Sequence, residues 1–111
     1  MATADFSVIP SGREGAGAGE VIAEIQRRLA AQDRVRFQMH AMGTSLEGEA
    51  AEIFALVAEL HAVPFEAGYP RTYTVLKVDE RRDREQSLQD KVDSVSNRLR
   101  AQPVPDYRPG D

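Results

Sequence analysis

A chain of 111 residues suits a single domain with a small core. Its formal net charge of −4, from 14 Lys and Arg against 18 Asp and Glu, argues against a nucleic-acid backbone as main partner. With no cysteine there is no disulfide, no thiolate nucleophile and no Cys-type zinc site. Hydrophobic residues at 41% and charged residues at 29% are ordinary for a soluble globular domain. The opening Met1-Ala2-Thr3-Ala4-Asp5-Phe6 lacks the basic and long apolar segments of a signal peptide. No stretch approaches the roughly 18 apolar residues of a membrane span, so a cytoplasmic protein is expected.

From Thr3 to Ile9 the residues alternate, with Ala4, Phe6 and Val8 on one side and Asp5 and Ser7 on the other, which predicts a half-buried strand ended by Pro10. The segment 11–19 carries Gly12, Gly15, Gly17 and Gly19 and reads as a flexible loop. A helix follows over Glu20 to Ala31, with Val21, Ile22, Ile25 and Leu29 on one stripe. Val35, Phe37 and Met39 alternate with Arg36, Gln38 and His40 in a second strand. Met42-Gly43-Thr44 makes a tight connection into a short third strand, Ser45 to Glu47.

A second helix begins at Glu49, with Ile53, Phe54, Leu56, Val57 and Leu60 on its buried side. Pro64 should kink or end it, and Gly68 suits a terminal cap. Thr72 to Asp79 form the strongest strand signal, with Thr74, Leu76 and Val78 opposite Tyr73, Val75, Lys77 and Asp79. After a charged run, Glu80 to Glu85, Ser87 opens a third helix and Asp90 supplies a variant of the capping-box carboxylate. Leu88, Val92, Val95 and Leu99 make its apolar stripe.

The order β-α-β-β-α-β with an added C-terminal helix predicts an α+β fold, the ferredoxin-like βαββαβ sandwich. Residues 1–101 are read as one domain, and the proline-rich 102–111 as a flexible tail. The helices should cover the face carrying Phe6, Val8, Phe37, Met39, Leu76 and Val78. The other face, with Asp5, Ser7, Arg36, Gln38, His40, Tyr73, Val75, Lys77 and Asp79, meets water, another sheet or a polar ligand.

Three segments occur in an order that resembles a known family: Phe6-Ser7-Val8-Ile9-Pro10, Met42-Gly43-Thr44-Ser45-Leu46-Glu47-Gly48-Glu49 and Val78-Asp79-Glu80-Arg81-Arg82-Asp83. With the final Lys91-Val92-Asp93-Ser94-Val95, they resemble the thiamine-binding (YkoF-like) proteins of ferredoxin-like fold, over about Ala4 to Leu99. The resemblance implies a non-enzymatic protein binding thiamine or its hydroxymethylpyrimidine portion as ligand, with no cofactor. It also implies a homodimer or homotetramer built by sheet-to-sheet or edge association. The glycine-rich 12–19 loop, Asp33 in place of a common glycine, and the tail depart from the family pattern.

Six residues are candidates for contact with the ligand. The hydroxyls of Ser7 and Thr44 donate and accept, which suits an aminopyrimidine edge. Met42 offers a polarizable surface to a flat ring, and Gly43 close backbone approach. Glu47 can accept from a protonated ring nitrogen or amine, and Tyr73 can stack on a ring or fill a subunit interface. Each has an ordinary structural alternative, as turn, core or solvated residue. Lys77 and Asp79 can instead pair with each other, and Arg81, Arg82 and Asp83 are expected to be solvated, to form an intersubunit salt bridge or to reach a phosphate.

The two histidines, His40 and His61, lie on different elements without further ligands, so no metal site is expected. No serine or histidine sits in a recognisable catalytic context. The competing interpretation is a homo-oligomeric interaction module with no small-molecule ligand.

Overall fold

The computed structural model describes residues 1–13 and 17–108. Eight elements follow in order: β1 (Ala2–Ser11), α1 (Ala18–Ala30), β2 (Arg36–His40), β3 (Gly43–Gly48), α2 (Ala50–His61), α3 (Val63–Glu66), β4 (Arg71–Glu80) and α4 (Leu88–Ala101). The strands form one antiparallel sheet in the order β2-β3-β1-β4, the ferredoxin-like arrangement with β1 and β3 central.

The register divides the side chains as the alternation requires. Ala4 stands opposite Leu46 and Val78, and Phe6 opposite Thr44 and Leu76, all on the face beneath α1 and α2. From the helices Val21, Ile25 and Leu29, with Ile53, Leu56, Val57 and Leu60, descend onto them and complete the core. Leu29, Leu46, Ile53 and Leu60 are fully enclosed. Shortening any of these to alanine would cost about 2–5 kcal/mol.

Several expectations need correction. Pro10 does not end β1, which continues to Ser11 and pairs Pro10 with Thr72. Pairing with β3 stops at Phe6, so β1 is an edge on that side, where a residue lacking N–H is tolerated. Phe54 is exposed, because it lies on the outer side of α2 from Ile53 and Val57. Phe37 and Met39 face the helix side but sit on the edge strand β2, where Met39 stays 58% exposed.

Pro64 lies in the first turn of a separate short helix, α3, which ends at Gly68 in positive φ. A proline there loses no needed hydrogen bond. The expected stripe of α4 exists, but only its first turn reaches the sheet, and no residue of that helix is buried. Within the glycine-rich segment, Ala18 and Gly19 are already helical. Residues 14–16 lie outside the described residues, as do 109–111 of the expected tail.

The fold positions α4 in an unusual way. Ser87 accepts the Asp90 amide at 3.0 Å, while the Asp90 carboxylate accepts the Ser87 amide at 2.9 Å, a complete capping box. The first turn of α4 then rests on the sheet face that α1 and α2 leave open. Among the described residues no helix is long and apolar enough to cross a membrane.

Candidate functional site

The open face is an ordered set of transverse rows, fixed by the strand registers. Nearest α4 lie Arg36, Glu47, Thr3 and Asp79. The next row holds Gln38, Ser45, Asp5 and Lys77. Beyond it stand His40 beside Gly43, and Ser7 beside Val75; Ile9 and Tyr73 follow, and Ser11 with Arg71 ends the face. Along the strands the face therefore passes from charged rows to an apolar pair, Ile9 and Tyr73, bordered by Arg71.

Asp5 is the centre of this surface. Its carboxylate meets His40 Nε2 at 2.9 Å and Lys77 Nζ at 4.0 Å. His40 belongs to a neighbouring row, and its ring lies beside Gly43. A Cβ there would lie 3.5 Å from His40 Cε1 and only 2.7 Å from the Phe6 carbonyl oxygen. Gly43 thus permits the close β1–β3 approach, while its distance to His40 is one an added methyl would tolerate.

The charged row is closed by α4. Glu47 Oε1 accepts the Leu88 amide at 2.7 Å, and its other oxygen lies 3.7 Å from Arg36. A carboxylate at a helix N-terminus satisfies an orphan donor and opposes the helix dipole. Lys91, one turn into α4, pairs with Asp79, and this hydrogen bond and charge hold the Asp79 carboxyl below the ordinary aspartate range. The expected Lys77–Asp79 pair is not formed, because each finds an opposite charge across the face: Asp5 for Lys77, Lys91 for Asp79.

Between α4 and the sheet lies a cleft of about 300 Å³, lined by Thr3, Asp5, Ser45, Lys77, Asp79, Leu88 and Lys91 among others. It joins carboxylates, hydroxyls and ammonium groups over a partly apolar wall. A larger cleft of about 440 Å³ lies between α1 and α3, lined by Arg13, Glu20, Glu24, Arg28 and Glu66 among others. Its charges satisfy each other: Arg28 joins Glu24 to Glu66, and Arg28 with Arg27 draws the Glu24 carboxyl below its ordinary range. The smaller cleft lies on the open sheet face and sets a hydroxyl, Ser45, among groups of both charges, and for that chemistry it is taken as the candidate ligand site. Among the described residues no three His, Asp or Glu side chains gather as a metal site would need.

The family model described as "Thiamine-binding protein" matches residues 4–96, which take in β1 from Ala4, the other three strands whole and the first turns of α4. The chain belongs to the thiamine-binding protein family. Among its relatives, the UPF0045 protein YqgV of Bacillus subtilis is 34% identical over 102 residues, covering 89% of this chain and 98% of its own. A UPF0045 protein of Methanothermobacter thermautotrophicus is 37% identical, covering 89% and 100%. In structure the chain is similar to a hypothetical protein of Methanocaldococcus jannaschii, with a TM-score of 0.76, 29% identity and coverage of 86% and 95%. A candidate thiamine biosynthesis/salvage protein of Thermotoga maritima shares the fold, with a TM-score of 0.70, 23% identity and coverage of 85% and 97%.

In this member of the thiamine-binding family, the six residues singled out from sequence separate into distinct places. Ser7, Gly43, Glu47 and Tyr73 belong to the open face. Thr44 points the other way, buried beneath the helices, where its hydroxyl accepts from Gln26 Nε2 at 3.0 Å. Met42 projects from the β2–β3 turn and is 86% exposed. Arg81 pairs with Asp83, and Arg82 with Glu80.

Sequence reasoning placed Asp5 and Lys77 on this face without singling them out, and it passed over Ser45 and Lys91. The alternation in β1 and β4 carried the signal for the first two. Their juxtaposition needed the register, and Lys91 needed the path of α4.

Proposed function

We propose that this chain binds thiamine or its hydroxymethylpyrimidine moiety on the open sheet face and releases it unchanged, acting as a carrier or sensor and not as an enzyme. The observation that carries this reading is the cleft centred on Asp5, where a carboxylate stands in one row with the Ser45 hydroxyl and the Lys77 ammonium. An aminopyrimidine presents an exocyclic amine that donates and ring nitrogens that accept. Asp5 takes the donor, while a hydroxyl or ammonium serves the acceptor, a charge-assisted arrangement of matching polarity.

Thiamine also carries a cationic ring. Tyr73, exposed beside Ile9 and Val75, offers an aromatic face to such a cation. Membership in a family named for thiamine binding supports the same ligand. A non-catalytic role is favoured because the charged groups of the face are engaged with each other as pairs. His40 meets the Asp5 carboxylate, and the hydroxyl that meets a histidine, Thr74 with His61 at 2.6 Å, lies on the helix side of the sheet, away from this face. The reading includes self-association as a homodimer or homotetramer, which the exposed apolar residues of the face favour.

Titration calorimetry with thiamine, its pyrimidine alcohol and its diphosphate tests the proposal. Thiamine and the pyrimidine alcohol are expected to bind below about 1 mM, a free energy beyond roughly −4 kcal/mol. At 100 times its dissociation constant, bound ligand should add about 2.7 kcal/mol to stability. Absence of binding by all three overturns the proposal.

A further inference from the structure

Along β1 and β4 the open face is ruled at even intervals. Asp5 stands with Lys77, Ser7 with Val75, Ile9 with Tyr73 and Ser11 with Arg71. Successive rows are two residues apart, so Arg71 lies about 7 Å beyond Tyr73 and about 20 Å from the Asp5 row. Along this line the chemistry changes in a fixed order, from a carboxylate through an apolar and aromatic stretch to a guanidinium.

Thiamine carries its groups in a matching order. The aminopyrimidine is joined through a methylene to the cationic thiazolium, and the thiazolium bears a hydroxyethyl arm on its far side. With the pyrimidine amine on Asp5, the pyrimidine ring covers the row of Ser7 and Val75. The cationic ring then reaches Ile9 and Tyr73, and the arm points at the last row. In the phosphorylated forms of the ligand that arm bears the negative charge.

Arg71 is exposed and stands in no ion pair among the described residues. Other cations are less suited to a phosphate. Arg81 and Arg82, at the opposite end of β4, pair with Asp83 and Glu80. Lys77 and Lys91 face Asp5 and Asp79, so a phosphate brought to them would also meet two carboxylates. Arg13 donates to the Ala67 carbonyl oxygen at 2.7 Å and lies over the Tyr69 ring. Ser11, beside Arg71, adds a hydroxyl able to donate to a phosphate oxygen.

We infer that Arg71 is the residue by which this chain selects phosphorylated over unphosphorylated thiamine. Its guanidinium binds the phosphates of thiamine diphosphate while Asp5 holds the pyrimidine amine. The planar fork of a guanidinium matches two phosphate oxygens at once, which an ammonium does not. The inference rests on the proposed function, because it needs the pyrimidine end at Asp5.

Titration calorimetry on the full chain at low salt tests it through the ratio of two affinities. Thiamine diphosphate is expected to bind about tenfold more tightly than thiamine. That ratio should fall to about one in Arg71→Gln and recover in part in Arg71→Lys. Because Arg71 is an exposed first residue of β4, both variants should keep the far-ultraviolet dichroism of the parent. Added salt should shrink the ratio in the unmodified chain and leave that of Arg71→Gln where it is. A ratio near one in the unmodified chain overturns the inference, as does a ratio kept in Arg71→Gln.

Asp5→Asn checks the orientation of the ligand and should weaken both compounds. Diphosphate binding that survives Asp5→Asn separates the phosphates from the pyrimidine anchor and overturns the inference too. Thiamine binding with a ratio near one removes the phosphate site and leaves the proposed function standing. Absence of binding by either compound removes both.

Discussion

The carboxylate of Glu47 accepts the amide of Leu88 at 2.7 Å, joining residues 41 apart in sequence and fixing where α4 leaves the sheet. Glu47 is almost enclosed, with 11% of its side chain exposed, so the bond is shielded from competing water. Glu47→Ala removes the acceptor and leaves the Leu88 donor at a half-buried helix start. The expected cost is about 1.5–3 kcal/mol, the range for hydrogen bonds to charged groups. Denaturant unfolding measures it, and amide hydrogen exchange should quicken across 88–101 more than in β1 or β3. Uniform exchange behaviour in the variant would assign the fastening of α4 to other contacts.

Acid should loosen the same helix from two points. Lys91 lowers the Asp79 carboxyl, and the Ser87 amide and hydroxyl lower that of Asp90, both from an ordinary value of 3.8. Folded-state values below the unfolded ones mean that the stabilisation is present above the ordinary value. It is lost as pH falls through the lower, folded value. The anchor of α4 should therefore hold through neutral and mildly acid solution and release only below the usual aspartate range. A carboxyl titration followed by nuclear magnetic resonance checks this. Lys91→Met should return Asp79 toward 3.8 and leave Asp90 where it is.

The alternation in β1, β2 and β4 was enough to divide helix-facing from open-facing residues, because one-sided burial imposes period two on every strand. Ser87 and Asp90 likewise announced the capping box, a purely local motif. Thr44 and Glu47 show where legibility stops. A three-residue strand read as Ser45 to Glu47 leaves Thr44 in a turn, free to face a ligand; the strand in fact starts at Gly43, and parity turns Thr44 inward to Gln26. Glu47 looked like a solvent or ligand carboxylate because its partner, Leu88 N–H, belongs to an element whose docking no periodicity encodes. The exposure of Val92 and Val95 was hidden for the same reason, since an apolar stripe says that something covers it and not what.

Gly43 is expected to resist substitution more than its place at a strand end suggests. An added Cβ would stand 2.7 Å from the Phe6 carbonyl oxygen, a backbone atom of the central strand that cannot swing away. Gly43→Ala should cost about 1–3 kcal/mol, the range for overpacking, and should push β3 from β1 at the row containing Ser7 and His40. Thermal unfolding gives the cost. A variant as stable as the parent would mean that the β2–β3 turn relaxes freely.

Two hydroxyl and carboxylate changes separate the faces of the sheet by function. Asp5→Asn keeps shape and removes the charge that meets His40 and Lys77. With Asp5 as the acceptor for the pyrimidine amine, thiamine affinity should fall about tenfold or more, at least 1.4 kcal/mol. Thr44→Val removes a hydroxyl on the opposite face and leaves the half-buried Gln26 amide without its acceptor. That variant should lose about 1–2 kcal/mol of stability, the cost of an unsatisfied buried donor, and bind thiamine as the parent does. Calorimetry on both decides the matter, because the two changes are similar in size and opposite in placement. A Thr44→Val protein that folds but loses the ligand would move the binding site to the helix side of the sheet, and the Asp5 cleft would have to be given up.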